Sequence, residues 1–251
     1  MSMPILAALP LLAVLAASPQ DADAAWNVCR AASSYDLTLG SGLTFERAAP
    51  APRRVEMRDG RLRVDGAPAA LNAEDSDRVA LFERNVRTLV PQVKTLAERG
   101  ADLAAQAVRA QVASIAPAAA ADPQFDARLA ARTRELKARI AASTSTKDWQ
   151  GEALDTYAQN VAADVLPIVG ADVAQQALDL AMQGDLAGAA ALKDRAADLQ
   201  PELEARIRAR LRTLEPDARR LCPTLRELDR LEAGIGARLP GGPLQLIEIA
   251  R

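Results

Sequence analysis

Two hydrophobic periods follow one another along this chain. From Tyr35 to Val64 apolar and polar residues alternate, as in Tyr35–Leu39 (YDLTL), Leu43–Glu46 (LTFE), Val55/Met57 and Leu62/Val64. Side chains of a strand point to opposite faces in turn, so this period predicts strands with one apolar face. Asp59-Gly60 separates the last two runs and suits a two-residue hairpin turn in which both central residues take positive φ. After Asn72 the period changes. Val79, Phe82, Val86, Leu89, Val93, Leu96, Gly100, Leu103 and Ala107 recur at steps of three and four, the seam of a long helix running from about Ala73 to Ala116. Asn72 is a suitable N-cap, and Asp75 complements the positive end of the helix dipole.

The helical period then persists with interruptions. APAAAADP (Ala116–Pro123) stops the long helix, and Phe125, Leu129, Leu136 and Ile140 mark a second one to Ala142. STSTKD (Ser143–Asp148) reads as a polar turn. A third helix is expected over Gln150–Val169, ended by Pro167 and Gly170, followed by Val173–Gln183, the GDLAG turn and a helix to Leu199. Pro201 sits well at the start of another helix. Ile207, Leu211, Leu214, Ala218, Leu221, Leu225 and Leu228 carry a further seam, punctuated by Pro216 and Pro223. Glycines and Pro240–Pro243 then break the pattern, and Leu244–Ile249 (LQLIEI) alternates as a terminal strand that needs a partner, for which the N-terminal sheet is the candidate. The expected fold class is α+β, mainly α. It comprises an elongated helical bundle with a small antiparallel sheet of about three to five strands, to which the C-terminal strand is added. A single domain over 25–251 is expected, β-rich at 29–66, helical at 73–235 and extended at 244–249.

Composition sharpens this picture. Hydrophobic residues make up 49% and aromatics 3%, so the apolar content is mostly Ala, Leu and Val, and the core is thin and long. A net charge of −2 with 25% charged residues describes a mixed solvated surface and no polyanion-binding chain. Histidine is absent, which excludes Ser-His-Asp and Cys-His triads, HExxH zinc sites and histidine general bases. Lysine occurs only at Lys94, Lys137, Lys147 and Lys193.

The N-terminus reads as an address. An apolar run from Pro4 to Ala17 is too short to span a membrane, and Ala22-Asp23-Ala24 offers a small-x-small cleavage site. The expectation is a signal peptide over 1–24 and a periplasmic mature chain without a membrane span, although MSMP at the start carries no Lys or Arg. A buried core helix is the alternative reading of this run. Cys29 lacks the small residue that a lipobox places directly before its cysteine. Cys29 and Cys222, 193 residues apart, read in an exported chain as one disulfide, with two buried thiols as the alternative.

YDLTL, RDGRLRVDG with LNAEDSDRVALFERNVRTLVP, Cys222 within LCPTLRELD, and LQLIEI at the end together resemble the YggN-like family of uncharacterised proteobacterial periplasmic proteins. The likeness covers nearly the whole mature chain. It implies an exported, mainly helical protein and brings no catalytic residues with it.

Candidate chemistry is sparse. Glu74, Asp75 and Asp77 lack the glycine and closing glutamate of a calcium loop, and favourable first-turn charges explain them. Arg206, Arg208, Arg210, Arg212, Arg219 and Arg220 alternate with Glu202, Glu204, Glu215 and Asp217, the composition of a solvated helical surface. No GxSxG, P-loop or dinucleotide fingerprint is present. No catalytic residue, metal ligand or cofactor is therefore expected, and no nucleic-acid partner. The leading expectation is a non-catalytic binding or interaction protein of the cell envelope, its partner an unidentified envelope protein or polymer. The alternative is a His-independent glycan hydrolase using two carboxylates roughly 5–9.5 Å apart across a cleft.

Overall fold

The computed structural model describes residues 29–149, 152–236 and 242–249. The expected signal peptide (1–24) and the Pro240-Gly241 pair lie outside them. The protein is α+β and mainly helical. Its described residues group into two compact units: 29–97, 141–149, 215–236 and 242–249 in one, and 98–140 with 152–214 in the other.

The first unit holds the sheet. Strands β1 (Ala31–Ala32), β2 (Asp36–Leu39), β3 (Leu43–Glu46), β4 (Arg54–Arg58), β5 (Arg61–Val64) and β6 (Ala67–Pro68) precede the first helix. β2 to β6 form an antiparallel meander in sequence order. Asp59 and Gly60 both take positive φ, 49° and 74°, so the β4–β5 turn has the backbone that the Asp-Gly pair foretells. Asp65-Gly66 repeats the device, with φ of 48° and 84°, and turns β5 into β6, a strand that the alternation of apolar and polar residues does not predict. The Asp65 carboxylate also accepts the backbone N–H groups of Arg53 and Arg54, each at 2.8 Å.

Val55, Met57, Leu62, Val64, Leu43 and Phe45 share the inner face of this sheet and are all buried. Helix α1 (Ala73–Ile115) starts where expected: Asn72 Oδ1 accepts the N–H of Asp75 at 2.7 Å. Val79, Phe82, Val86 and Leu89 of α1 join the same core. Val93 departs from the seam at 39% exposed, for a reason that the site below makes plain.

The C-terminal strand pairs with an N-terminal one, over a shorter span than 244–249. β7 is Glu248–Ile249 and pairs antiparallel with β1 in a two-stranded ladder, apart from the meander. Leu244 and Leu246 point into the core, while the N–H groups of Leu246 and Ile247 go to the Glu232 carboxylate at 2.5 and 3.1 Å. Donors held by a side chain cannot extend a ladder. The β2 edge of the meander is covered by Thr144–Thr146, a segment whose composition predicts a polar turn. Leu39 N–H donates to Thr144 O at 2.8 Å, Leu37 N–H to Thr146 Oγ1 at 3.0 Å, and Thr38 bridges Ser145.

The second unit is helical. It contains the C-terminal part of α1, α2 (Pro117–Ala121), α3 (Pro123–Ala142, to residue 140), α4 (Glu152–Met182), α5 (Leu186–Ala197) and α6 (Leu199–Leu211). Helix α4 runs through Pro167 and Gly170, the two residues expected to end it. Val165 and Val169 are buried against Phe125, Leu129, Ile115 and Ala119, and this packing on both sides of Pro167 outweighs the missing backbone donor. Asp185 caps α5, accepting the N–H of Gly188 at 2.8 Å. Replacing Asp185 by Ala is expected to cost about 1 kcal/mol, read as a lower urea midpoint of helix loss. The first unit resumes with α7 (Glu215–Arg219) and α8 (Cys222–Ala233).

Candidate functional site

Within the sheet-bearing unit lies a groove of about 280 Å³. One wall is the β2 edge strand with Leu37 and Leu39, backed by Tyr35 and Phe45; the facing wall is Val86, Leu89, Val90 and Val93 of α1; Leu225 and Leu228 of α8 with Leu246 and Ile247 complete it. Val93 is exposed because it lines this groove instead of a closed core. The surface it presents is almost wholly apolar, although Ser33, Lys94 and Ser143–Thr146 are among the lining residues.

Among the described lining residues Lys94 alone is charged. It follows Val93 on α1, and its Nζ donates to Ala141 O at 2.8 Å and Ser143 O at 2.6 Å. These carbonyls lie at and just past the end of α3, where helix carbonyls lack intrahelical donors and a cation is favoured. An ammonium carries three N–H donors, so one stays unused by these two contacts. Both partners are neutral carbonyls.

Two supports fix the groove's shape. Tyr35 packs edge-on against Phe45, ring centroids 6.4 Å apart, and donates its hydroxyl to Pro52 O at 2.8 Å. The Arg47 guanidinium lies over its ring at 4.2 Å. Burial pushes the Tyr35 hydroxyl up from its usual pKa. At the other end, Glu232 of α8 is 8% exposed and holds the Leu246–Ile247 backbone. Burial raises its pKa to about 7, against the two N–H groups that favour the carboxylate; Asp229 and Glu248 add repulsion.

Two polar depressions lie elsewhere on this unit. One, beside the Asp59-Gly60 turn, is lined by Glu56, Arg58, Arg61 and Arg63 among others. The other gathers Asp36, Glu46, Arg47, Arg54 and Lys147. In it Lys147 bonds Glu46 at 2.8 Å and by that bond and its charge holds the Glu46 carboxyl below its usual pKa.

The residues singled out in the sequence are placed as follows. Cys29 and Cys222 form a disulfide with Cα atoms 5.3 Å apart. Glu74 and Asp75 pair with Arg78, and Asp75 also accepts the N–H of Gly236 at 3.0 Å. The arginine-rich stretch is dispersed: Arg206 binds Gln111 Oε1 at 2.8 Å, Arg219 pairs with Glu215, and Arg220 with Asp217. No group of three or more metal-ligating side chains occurs among the described residues. Lys94 and Glu232 were not predicted as site residues. A single lysine following Val90 and Val93 on an apolar seam was the available signal for the first, and nothing local marks the second.

These features define a mainly helical α+β protein with one disulfide and an apolar groove. The chain belongs to the DUF2884 family of proteins of unknown function, which it matches over residues 29–247. No curated protein and no solved structure matches it.

Proposed function

We propose that the chain is a YggN-like periplasmic protein that is exported by a cleaved signal peptide and binds an apolar ligand of the cell envelope without transforming it. The observation that carries this reading is the groove itself, a concave and almost wholly apolar surface. Ligand sites are typically concave, mostly apolar and equipped with a few placed polar groups. The Cys29–Cys222 bond supports export, because disulfides persist in oxidising compartments.

The stretch Ala163–Met182 of α4 is long and apolar enough to cross a membrane by length and composition, and 11% of it is buried. Its carboxylates are engaged within the helical unit. Asp164 pairs with Arg132 at 2.7 Å, and Asp172 accepts the N–H of Ala119 at 2.8 Å. Such groups are costly in a bilayer, and they favour a mature chain outside the membrane. The glycan-hydrolase alternative would find two carboxylates in the Asp36–Glu46 depression, but a general acid needs a raised pKa, and Lys147 moves Glu46 the other way.

Two measurements test the proposal. The mature N-terminus from a periplasmic extract should lie near Ala25 or Trp26, and intact Met1 in the cytoplasm would refute export. A neutral apolar fluorophore, N-phenyl-1-naphthylamine, should bind the folded protein at one site. Val90→Trp or Leu37→Trp, which fill the groove from opposite walls, should abolish that binding. Equal binding by wild type and both variants would remove the groove as the site.

A further inference from the structure

We infer that the outward face of α4 pairs with the same face of a second copy of this chain, the two helices running antiparallel. The inference concerns the helical unit and stands apart from the groove. Within Ala163–Met182, the residues Ala163, Pro167, Ala171, Ala174, Leu178 and Met182 recur at steps of three and four and are all exposed, so they share one side of the helix. Leu178 is 53% exposed and Met182 78%, and Leu186 at the start of α5 continues the patch at 70%. The carboxylates of this stretch are turned away or sit at the margin. Asp164 pairs with Arg132, and Asp172 accepts the Ala119 N–H. Asp179, at the margin, accepts from Gln175 at 2.9 Å. An apolar face of this length is uncommon on the surface of a monomer and marks an interaction site.

Shape and charge both select a second copy. The face is large at its C-terminal end, with Leu178 and Met182, and small at its N-terminal end, with Ala163 and Pro167. A two-fold axis passing between Ala171 and Ala174 sets Leu178 against the partner's Pro167 and Met182 against the partner's Ala163. Each large residue then meets a small one, as a self-complementary interface requires. Ala171 and Ala174 oppose one another at the centre, where small side chains let the helix axes approach. Asp164, Gln175 and Asp179 lie on one flank of the face, the flank at which Arg128 and Arg132 of α3 reach Asp164. The two-fold keeps that flank on its own side and brings the partner's Asp179 level with Leu166, beside Arg128. Arg128 donates to the Asp164 backbone carbonyl at 3.4 Å, a long contact with a neutral group that the carboxylate replaces with an ion pair. A parallel pair would instead set Leu178 on Leu178 and Asp179 beside Asp179. The strip is about 30 Å long and about 10 Å wide, small against the roughly 800 Å² that each partner gives a standard interface. The pair therefore forms and dissociates with concentration, its dissociation constant on the order of micromolar or weaker.

Sedimentation equilibrium of the full mature chain, from low micromolar to near-millimolar concentration, tests this directly. Wild type should pass from monomer to dimer over that range. Leu178→Glu, at an exposed position outside the core, should melt as wild type does and stay monomeric. Asp179→Arg should weaken the dimer, and Arg128→Asp added to it should restore it, which a surface charge without a partner would not do. A short bis-maleimide, applied with the native disulfide intact, reads the orientation. Ala174→Cys should crosslink to its counterpart, whereas Ala181→Cys, about 25 Å from its counterpart along an antiparallel pair, should not. Crosslinking of both variants overturns the antiparallel arrangement. A monomer at every concentration, or a dimer that Leu178→Glu leaves unchanged, overturns the pairing. Monomeric wild type that floats with phosphatidylcholine vesicles, and loses this with Leu178→Glu, also overturns it and assigns the face to a lipid surface.

Discussion

Removing the disulfide should lower the unfolding free energy by about 2–5 kcal/mol. Cys29 lies two residues before β1 and Cys222 opens α8, so the bond joins the start and the late part of the sheet-bearing unit across 193 residues. The helical unit is inserted within that loop: the chain leaves the sheet-bearing unit at Glu98 and returns to it finally at Glu215. Closing so long a loop removes much conformational freedom from the unfolded chain, and the chain-entropy account gives about 5 kcal/mol as its upper figure. The paired substitution Cys29→Ala/Cys222→Ala avoids placing a hydroxyl at the buried Cys222 position. Its urea midpoint should fall well below that of the oxidised wild type, and dithiothreitol should move the wild type alone to the same value. Coincident midpoints for oxidised wild type and the double variant would show that the crosslink adds nothing to equilibrium stability.

How much of this was legible depends on the range of the interaction. Asp59-Gly60 specifies its turn through two adjacent residues, and Val79, Phe82, Val86 and Leu89 specify a helix face within ten; both came out as read. Val93 fits the same period yet lines an open groove, because a period tells which residues share a face and not whether that face is closed. Pro167 and Gly170 are local stop signals overruled by Val165 and Val169 packing on Phe125 and Leu129, an energy that arises some forty residues away. The Thr144–Thr146 segment has the composition of a turn and acts as an edge cover, since a backbone donor and acceptor leave no trace in side-chain pattern.

The site was less legible than the fold for the same reason. Lys94 meets Ala141 and Ser143 across more than forty residues of sequence, and Tyr35, Val90, Leu225 and Leu246 come to one groove from four parts of the chain. Cys29 and Cys222 were the exception, for two cysteines admit a single intramolecular pairing. Glu232 looked like one more acid on a charged helix, and its chemistry comes wholly from the burial that tertiary structure imposes on it.

That burial makes stability pH-dependent in a direction opposite to most carboxylates. Glu232 has a folded-state pKa of about 7, against 4.5 for an ordinary glutamate. Between these values the folded chain holds a proton that the unfolded chain has released, so folding is favoured by acid and stability falls as pH rises through the window. The contribution is fully present below pH 4.5 and lost above about 7, and a shift of this size corresponds to roughly 3 kcal/mol. Glu232→Gln removes the titration. Its amide oxygen can accept from Leu246 or Ile247, but its nitrogen cannot accept from the other, so the variant should be less stable than wild type at pH 5. As pH rises to 7.5 that deficit should shrink by about 2–3 kcal/mol, because wild type alone must then place an ionised carboxylate in the core. Urea titrations of both proteins at the two pH values give the comparison directly, and every other titrating group cancels in the difference. A deficit that grows with pH would mean that the two backbone donors outweigh burial and that the carboxylate is the preferred form. With a shrinking deficit, the wall formed by Leu246 and Ile247 is held in the core by a group whose charge costs more as the surroundings become alkaline.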